Sequence, residues 1–271
     1  IELSESSFAA SVNISTARGS VSKYILLNRT VYENSFEWQD VWDTNGYSGV
    51  EIVLVIDDSG SMGGNDSSNQ RLTVAQNLID KLPDNSKVGV VKFTSSTSTL
   101  TTKLTNDKES AKQYLTTDYF HSSGGTRMYS AINSSFTLFE STDDKILKMM
   151  VVLTDGNTGD AGMHSSVIST ANDNKVKIYT VGLGNSVSYF NDYLKPLANN
   201  TSGAFYLSSD AAQLQSVYDD INKKIDIETD SDNDGIADFY EENMVMFNGI
   251  NIKLDKNNPD SDGDGLSDGE E

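Results

Sequence analysis

Residues 50–61 read VEIVLVIDDSGS, an unbroken apolar run over 52–56 that stops at two aspartates and a serine-glycine turn. A run this short and this rich in β-branched residues predicts a strand buried on both faces, which occurs where helices cover both sides of a sheet. A second such run, 149–153, ends in Thr154-Asp155-Gly156. Around these two, strand patterns over 87–94, 98–104, 175–182 and 203–207 alternate with helical patterns over 70–81, 108–116, 128–139, 165–174, 187–197 and 211–225. Alternation of this kind implies right-handed βαβ units and an α/β fold: a doubly wound, mostly parallel sheet with helices on both faces. The piece 98–104 would fold back as an antiparallel edge. The apolar stripe Leu72, Ala75, Leu78, Ile79 and Leu82 is sheet-facing core.

In an open α/β sheet, ligands bind beyond the carboxyl ends of the strands. That crevice would receive Asp57, Ser59 and Ser61 from the first strand end, Asp155 from the second, and Thr126 from the loop SSGGTR at 122–127. Residues two apart in an extended loop point the same way, so Asp57, Ser59 and Ser61 can face one ion while Asp58 and Gly60 face elsewhere. Carboxylate and hydroxyl oxygens without thiolate or imidazole make a hard site suited to Mg²⁺, with Mn²⁺ or Ca²⁺ as alternatives. Two carboxylates and three neutral hydroxyls leave such an ion electrophilic toward one more carboxylate. Other readings of these residues lack parts. A nucleophilic serine needs a base, and the two histidines, His121 and His164, accompany no G-x-S-x-G elbow. Gly63 and Gly64 lack the G-K-[ST] of a phosphate loop.

The D-x-S-x-S run at Asp57, Ser59 and Ser61, the threonine Thr126 after a double glycine and the T-D-G at Asp155 resemble the metal-ion-dependent adhesion site (MIDAS) of von Willebrand factor type A domains, over about residues 48–226. The resemblance implies that Ser59, Ser61 and often Thr126 touch the metal directly, that Asp57 and Asp155 act through water, and that an acidic residue of a partner completes the octahedron.

Beyond that stretch the character changes. From Asp226 onward lie 15 of the 40 acidic residues, against two lysines. Asp230, Asp232, Asp234, Gly235, Asp238 and Glu241 fit the twelve-residue calcium loop D-x-[DN]-x-[DN]-G-x5-E, with Ile236 offering a backbone carbonyl at the seventh position. The template returns thirty residues later as Asp260, Asp262, Asp264, Gly265, Leu266, Asp268 and Glu271. No long amphipathic helix flanks both sides, so the loops resemble thrombospondin type 3 repeats, whose aspartate-rich loops wrap Ca²⁺ and stiffen a stalk.

Composition sets the remaining bounds. A net charge of -20 argues against nucleic acid and an anionic membrane as direct partners, because phosphate-driven affinity needs a basic surface. No stretch approaches the ~18 apolar residues of a membrane span. The absence of cysteine, together with calcium loops, points to an extracellular or surface protein of Gram-positive bacterial type. The polar start at Ile1 reads as part of a longer chain. Residues 1–47, with alternating Phe8, Ala10, Val12 and Ile14, predict a β-rich extension; 48–226 is the binding domain and 227–271 the acidic repeats. The expected function is metal-dependent adhesion to a protein or matrix ligand that presents a carboxylate. The alternative is an assembly domain whose metal holds a sibling domain, and an enzyme is not expected.

Overall fold

Nine consecutive buried residues, Gly49–Asp57, form the middle strand of the fold. The structure is a computed structural model that describes residues 9–16, 19–26, 46–243 and 254–269. In chain order its elements are β1 (Ala9–Thr16), β2 (Gly19–Leu26), β3 (Gly49–Asp57), α1 (Met62–Asn65), α2 (Gln70–Lys81), β4 (Lys87–Phe93), β5 (Thr97–Thr99), α3 (Lys108–Lys112), α4 (Met128–Ser135), β6 (Ile146–Thr154), α5 (His164–Asp173), β7 (Val176–Leu183), α6 (Val187–Tyr189), α7 (Lys195–Asn199), β8 (Phe205–Ser208), α8 (Leu214–Glu228) and α9 (Asp238–Asn243).

Strands β3 to β8 make a six-stranded sheet in the order β5-β4-β3-β6-β7-β8, parallel except for the short edge β5. This is the α/β fold that the alternating pattern predicts. Connections from β3 run to one side through β4, and β6 lies on the other side, so the order reverses between β3 and β6. That reversal leaves a crevice beyond their carboxyl ends. Period-two alternation sends Val53 and Val55 to one face, where they pack with Val91, Phe93, Met150 and Val152 against Met128, Ala131 and Ile132 of α4 and Val167 and Ala171 of α5. Ile52, Leu54 and Ile56 point the other way and are also fully buried. The buried stripes of α2 (Leu72, Ala75, Leu78, Ile79) and α8 (Leu214, Val217, Tyr218, Ile221) supply the second cover. Asn77 donates to Gln215 (2.7 Å), tying these two helices together.

Several elements depart from their predicted spans, two of them for identifiable local reasons. The edge strand stops at Thr99 because the Thr101 hydroxyl accepts the Val90 N–H (2.9 Å), replacing a ladder bond by a side chain. The helix predicted over 187–197 is divided into α6, a π-helical turn Phe190–Leu194 and α7. Pro196 lacks an N–H and cannot close the regular ladder onto the Asp192 carbonyl in that turn, and the Thr180 hydroxyl of β7 donates separately to the Leu194 carbonyl (3.0 Å). The helix predicted over 108–116 is ordered as α-helix only through Lys112, followed by turns.

The chain divides into two compact units, Gly49–Ile225 and a second one formed by Ile1–Ser48 with Asp226–Glu271. In the second unit β1 and β2 pair antiparallel from Ala9↔Leu26 to Thr16↔Gly19, and Tyr47 bridges Thr229 in parallel. Phe8, Trp38 and Trp42 lie outside the described residues. Among the described residues, no helix is long and apolar enough to cross a membrane.

Candidate metal sites

Asp57 ends β3 and Asp155 directly follows β6, so their side-by-side arrival is a consequence of strand pairing. The turn after β3 is wound by Asp57 itself: its Oδ1 accepts the Ser59 N–H at 2.7 Å, which folds Ser59 and Ser61 back over the strand end. Asp57 Oδ2 accepts from the Thr154 hydroxyl at 2.6 Å. Ser59 Oγ and Ser61 Oγ lie 3.2 Å apart, and Ser61 Oγ donates to Asp155 Oδ1 at 2.7 Å. Asn65 Nδ2 donates to Asp155 Oδ2 at 2.9 Å. Thr126 is half-buried and held by its main chain, its carbonyl accepting from Gly159 N–H (2.8 Å) and the Thr158 hydroxyl (3.1 Å). Its loop reaches the same turn through the Gly60 N–H, which donates to the Gly124 carbonyl at 3.0 Å.

Asp57, Ser59 and Asp155 are buried, whereas Gly60 and Ser61 are exposed, so the buried oxygens sit beside an exposed mouth formed by the Gly60-Ser61 turn. Burial pushes the Asp57 carboxyl up to about 6, opposed by the Ser59 and Thr154 donors and reinforced by the charge of Asp155. Two carboxylates and two hydroxyls packed this closely, with no cation of the protein among their hydrogen-bond partners, fit a hard divalent ion.

Thr154 has a role that the sequence reading did not assign. Thr154→Val removes the donor to a fully buried carboxylate oxygen, and the variant is expected to lose about 1–3 kcal/mol in a denaturant-unfolding experiment.

Asp58 faces away from the mouth. Its Oδ1 accepts from His121 N–H (2.8 Å) and Ser122 N–H (2.7 Å), and its Oδ2 from Lys92 (3.0 Å). Arg71, with no exposed surface, pairs with Asp66 at 2.7 Å and reaches Asp58 at 3.5 Å and the Ser122 hydroxyl at 3.1 Å. This network fixes the loop that leads into Thr126. Of the histidines, His121 is used through its main chain, and His164 Nδ1 lies 2.8 Å from the Tyr129 hydroxyl.

The description "von Willebrand factor type A domain" matches residues 51–220. The chain belongs to the von Willebrand factor type A family. An uncharacterized protein of Borreliella burgdorferi is 28% identical over 229 residues, covering 73% of this chain and 66% of that protein. A von Willebrand factor type A structure from Catenulispora acidiphila superposes with a TM-score of 0.55 at 22% identity, over 66% of this chain and 43% of that one. Proximal thread matrix protein 1 from the mussel byssus, solved with a zinc-occupied MIDAS motif, gives 0.53 at 18% identity, over 65% and 45% of the two chains. The chain therefore spans less than half the length of these two structural neighbours.

Outside the von Willebrand type A domain, the two acidic loops repeat one conformation. In the first, Gly235 N–H donates to Asp230 (3.2 Å), Asp234 N–H to Asp232 (3.3 Å) and Ile236 N–H to Asp234 (2.6 Å). In the second, Gly265 donates to Asp260 (2.9 Å), Asp264 to Asp262 (3.1 Å) and Leu266 to Asp264 (2.9 Å). Gly235 and Gly265 have φ of +103° and +99°, the left-handed region where glycine alone is unstrained. Asp230, Asp232 and Asp234 bring carboxylate oxygens within 4.8 Å of one another, as do Asp260, Asp262 and Asp264. The ninth-position aspartates brace the loops: Asp238 accepts from Ser231 N–H and Oγ (both 2.8 Å) and from Thr229 (3.0 Å), and Asp268 from Ser261 N–H (3.0 Å) and Oγ (2.6 Å). Glu241 is buried, and Glu271 lies outside the described residues. Burial, with the charge of Asp234, raises Asp232 up to about 6. Burial and the surrounding aspartates raise Glu241 up to about 9.

Proposed function

We infer that this chain is a non-enzymatic, metal-dependent ligand-binding module of an extracellular bacterial protein. Its binding domain, residues 48–226, is followed in sequence by a calcium-stiffened segment, residues 227–271. Ser59, Ser61 and Thr126 are the direct ligands of a Mg²⁺ (or Mn²⁺ or Ca²⁺) ion, and Asp57 and Asp155 orient its bound water. A carboxylate from a protein or matrix partner takes the remaining position. The observation that carries this reading is the joining of Ser61 to Asp155 at 2.7 Å, across the switch point of the sheet, beside an exposed Gly60-Ser61 mouth. The donor set leaves the ion short of negative charge, which makes an anionic partner the natural sixth ligand. Aspartates at positions 230, 232, 234, 260, 262 and 264 hold Ca²⁺ in the two loops, with the backbone carbonyls of Ile236 and Leu266 as further donors. Calcium-rich surroundings and a chain without cysteine agree with a Gram-positive surface or secreted location.

Calorimetric titration of the metal-stripped chain with Mg²⁺ tests the site, with Asp155→Ala beside it. Loss of an outer partner of a metal site costs about 10–100-fold in affinity, so the variant is expected to bind at least ~10-fold more weakly. With Mn²⁺ bound, acetate should lower the water-proton relaxation enhancement as it displaces a metal-bound water. An enhancement indifferent to acetate means that the coordination sphere is closed, and assembly with a sibling domain replaces adhesion.

A further inference from the structure

The two acidic loops, thirty residues apart in sequence, meet. Gly269 packs so tightly on the first loop that a β-carbon there would stand 2.1 Å from the Asp234 carbonyl oxygen. This approach delivers Asp268 of the second loop to Asp234 and Glu241 of the first, with carboxylate oxygens of all three within 4.8 Å of one another.

Glu241 is the unusual member. It has 0% exposure, and among the described residues neither of its carboxylate oxygens has a hydrogen-bond partner. Asp234 Oδ2 is buried without a partner as well. Removing a carboxylate from water without a donor or a counter-charge is among the costliest arrangements in a protein. Asp232, Asp234, Asp238 and Asp230, all of its own sign, act on Glu241, and Asp268 lies beside it as well. Asp268 is engaged by Ser261, yet a carboxylate oxygen has lone pairs for a second partner.

We propose that Asp234, Glu241 and Asp268 together hold a calcium-type divalent cation, shared between the two loops and additional to the ions of the Asp230 and Asp260 triplets. The site rests on the reading of those loops as calcium sites, and it changes their number and membership. Glu241, twelfth in the first loop, serves the junction, and Asp234 bridges the junction ion and the Asp230 triplet. All donors are carboxylate oxygens from two loops and a short helix, and such a set suits the irregular six- to eight-fold sphere of Ca²⁺ better than the strict octahedron of Mg²⁺. Because its ligands come from both loops, the ion's binding free energy is spent on their mutual docking as well as on each loop's own fold.

Native mass spectrometry of the full chain in Ca²⁺ counts the ions, with the strand-end site contributing equally to every variant. Glu241→Gln and Asp268→Asn keep side-chain volume and should each lose one ion. The double variant should also lose one, because both substitutions empty the same site. Gly269→Ala, which alters no carboxylate, should lose that ion too by wedging the loops apart. A double variant that loses two ions, or a Glu241→Gln chain that loses none, overturns the shared site and leaves the separate loops standing. If Asp230→Asn and Asp260→Asn also leave the count unchanged, the calcium loops themselves are refuted, and the shared site with them.

Discussion

Arg71→Ala is expected to cost about 3–5 kcal/mol of stability, the usual result of deleting one partner from a buried ion pair. The side chain has no solvent to fall back on. Its guanidinium bonds Asp66 Oδ2, Asn69 Oδ1 and the Ser122 hydroxyl, and approaches Asp58 Oδ1. Asp66 in turn accepts the N–H groups of Gln70 and Arg71 at 2.7 and 3.1 Å, so the start of α2 is tied to the same charge. Removing Arg71 leaves Asp66 and Asp58 buried with less compensation, although Lys92 still serves Asp58. Arg71→Lys keeps the charge without the planar fork and should recover only part of the loss. Equilibrium denaturation reads the stability, and Mg²⁺ titration of the folded variants reads the looser loop before Thr126 as weaker binding. A change below about 1 kcal/mol would show that the network is not integral to the fold.

The second large effect concerns the acidic loops. At pH 8, saturating Ca²⁺ should raise the melting transition of the segment after Asp226. Each ion contributes ~2.7 kcal/mol when free calcium is a hundred times its Kd. Metal-stripped protein should behave oppositely with respect to acid. Glu241 and Asp232 have folded-state carboxyl values near 9 and 6, above the unfolded range of about 4–4.5. The folded state therefore binds their protons more tightly. Their stabilising contribution is fully present below pH ~4 and is lost as pH rises through about 6 and then 9. Without metal the segment should melt higher at pH 5 than at pH 8, and calcium should reverse that order because it requires the ionised carboxylates. Thermal unfolding at the two pH values, with and without Ca²⁺, checks both signs. A transition indifferent to calcium at pH 8 would remove the basis for a calcium-stiffened segment.

Much of this molecule is readable from pattern because its central strands are buried on both faces. The runs at 52–56 and 149–153 admit little else, and the adjacency of Asp57 and Asp155 follows from them. Helix α2 coincides with the predicted 70–81, since its stripe repeats cleanly. Where pattern fails, a single group intervenes: Thr101 takes over a ladder bond, and Pro196 withholds one. Arg71 left a trace, because 71, 75, 78 and 79 share one helical face, and a charge on an apolar stripe implies a buried partner. Asn65 left none, since nothing in its neighbours announces a bond to Asp155 ninety residues away. The meeting of Glu241 with Asp268 depends on how two loops pack, a distance that spacing within either loop does not encode.

The bond from Ser61 to Asp155 has a kinetic consequence. The Ser61 hydroxyl holds a proposed ligand, its own oxygen, in register with the carboxylate proposed to orient the ion's water, across the switch point of the sheet. A cation at the proposed site would find the loop already ordered, so its capture would be a swap of hydrogen-bond partners with little left to fold.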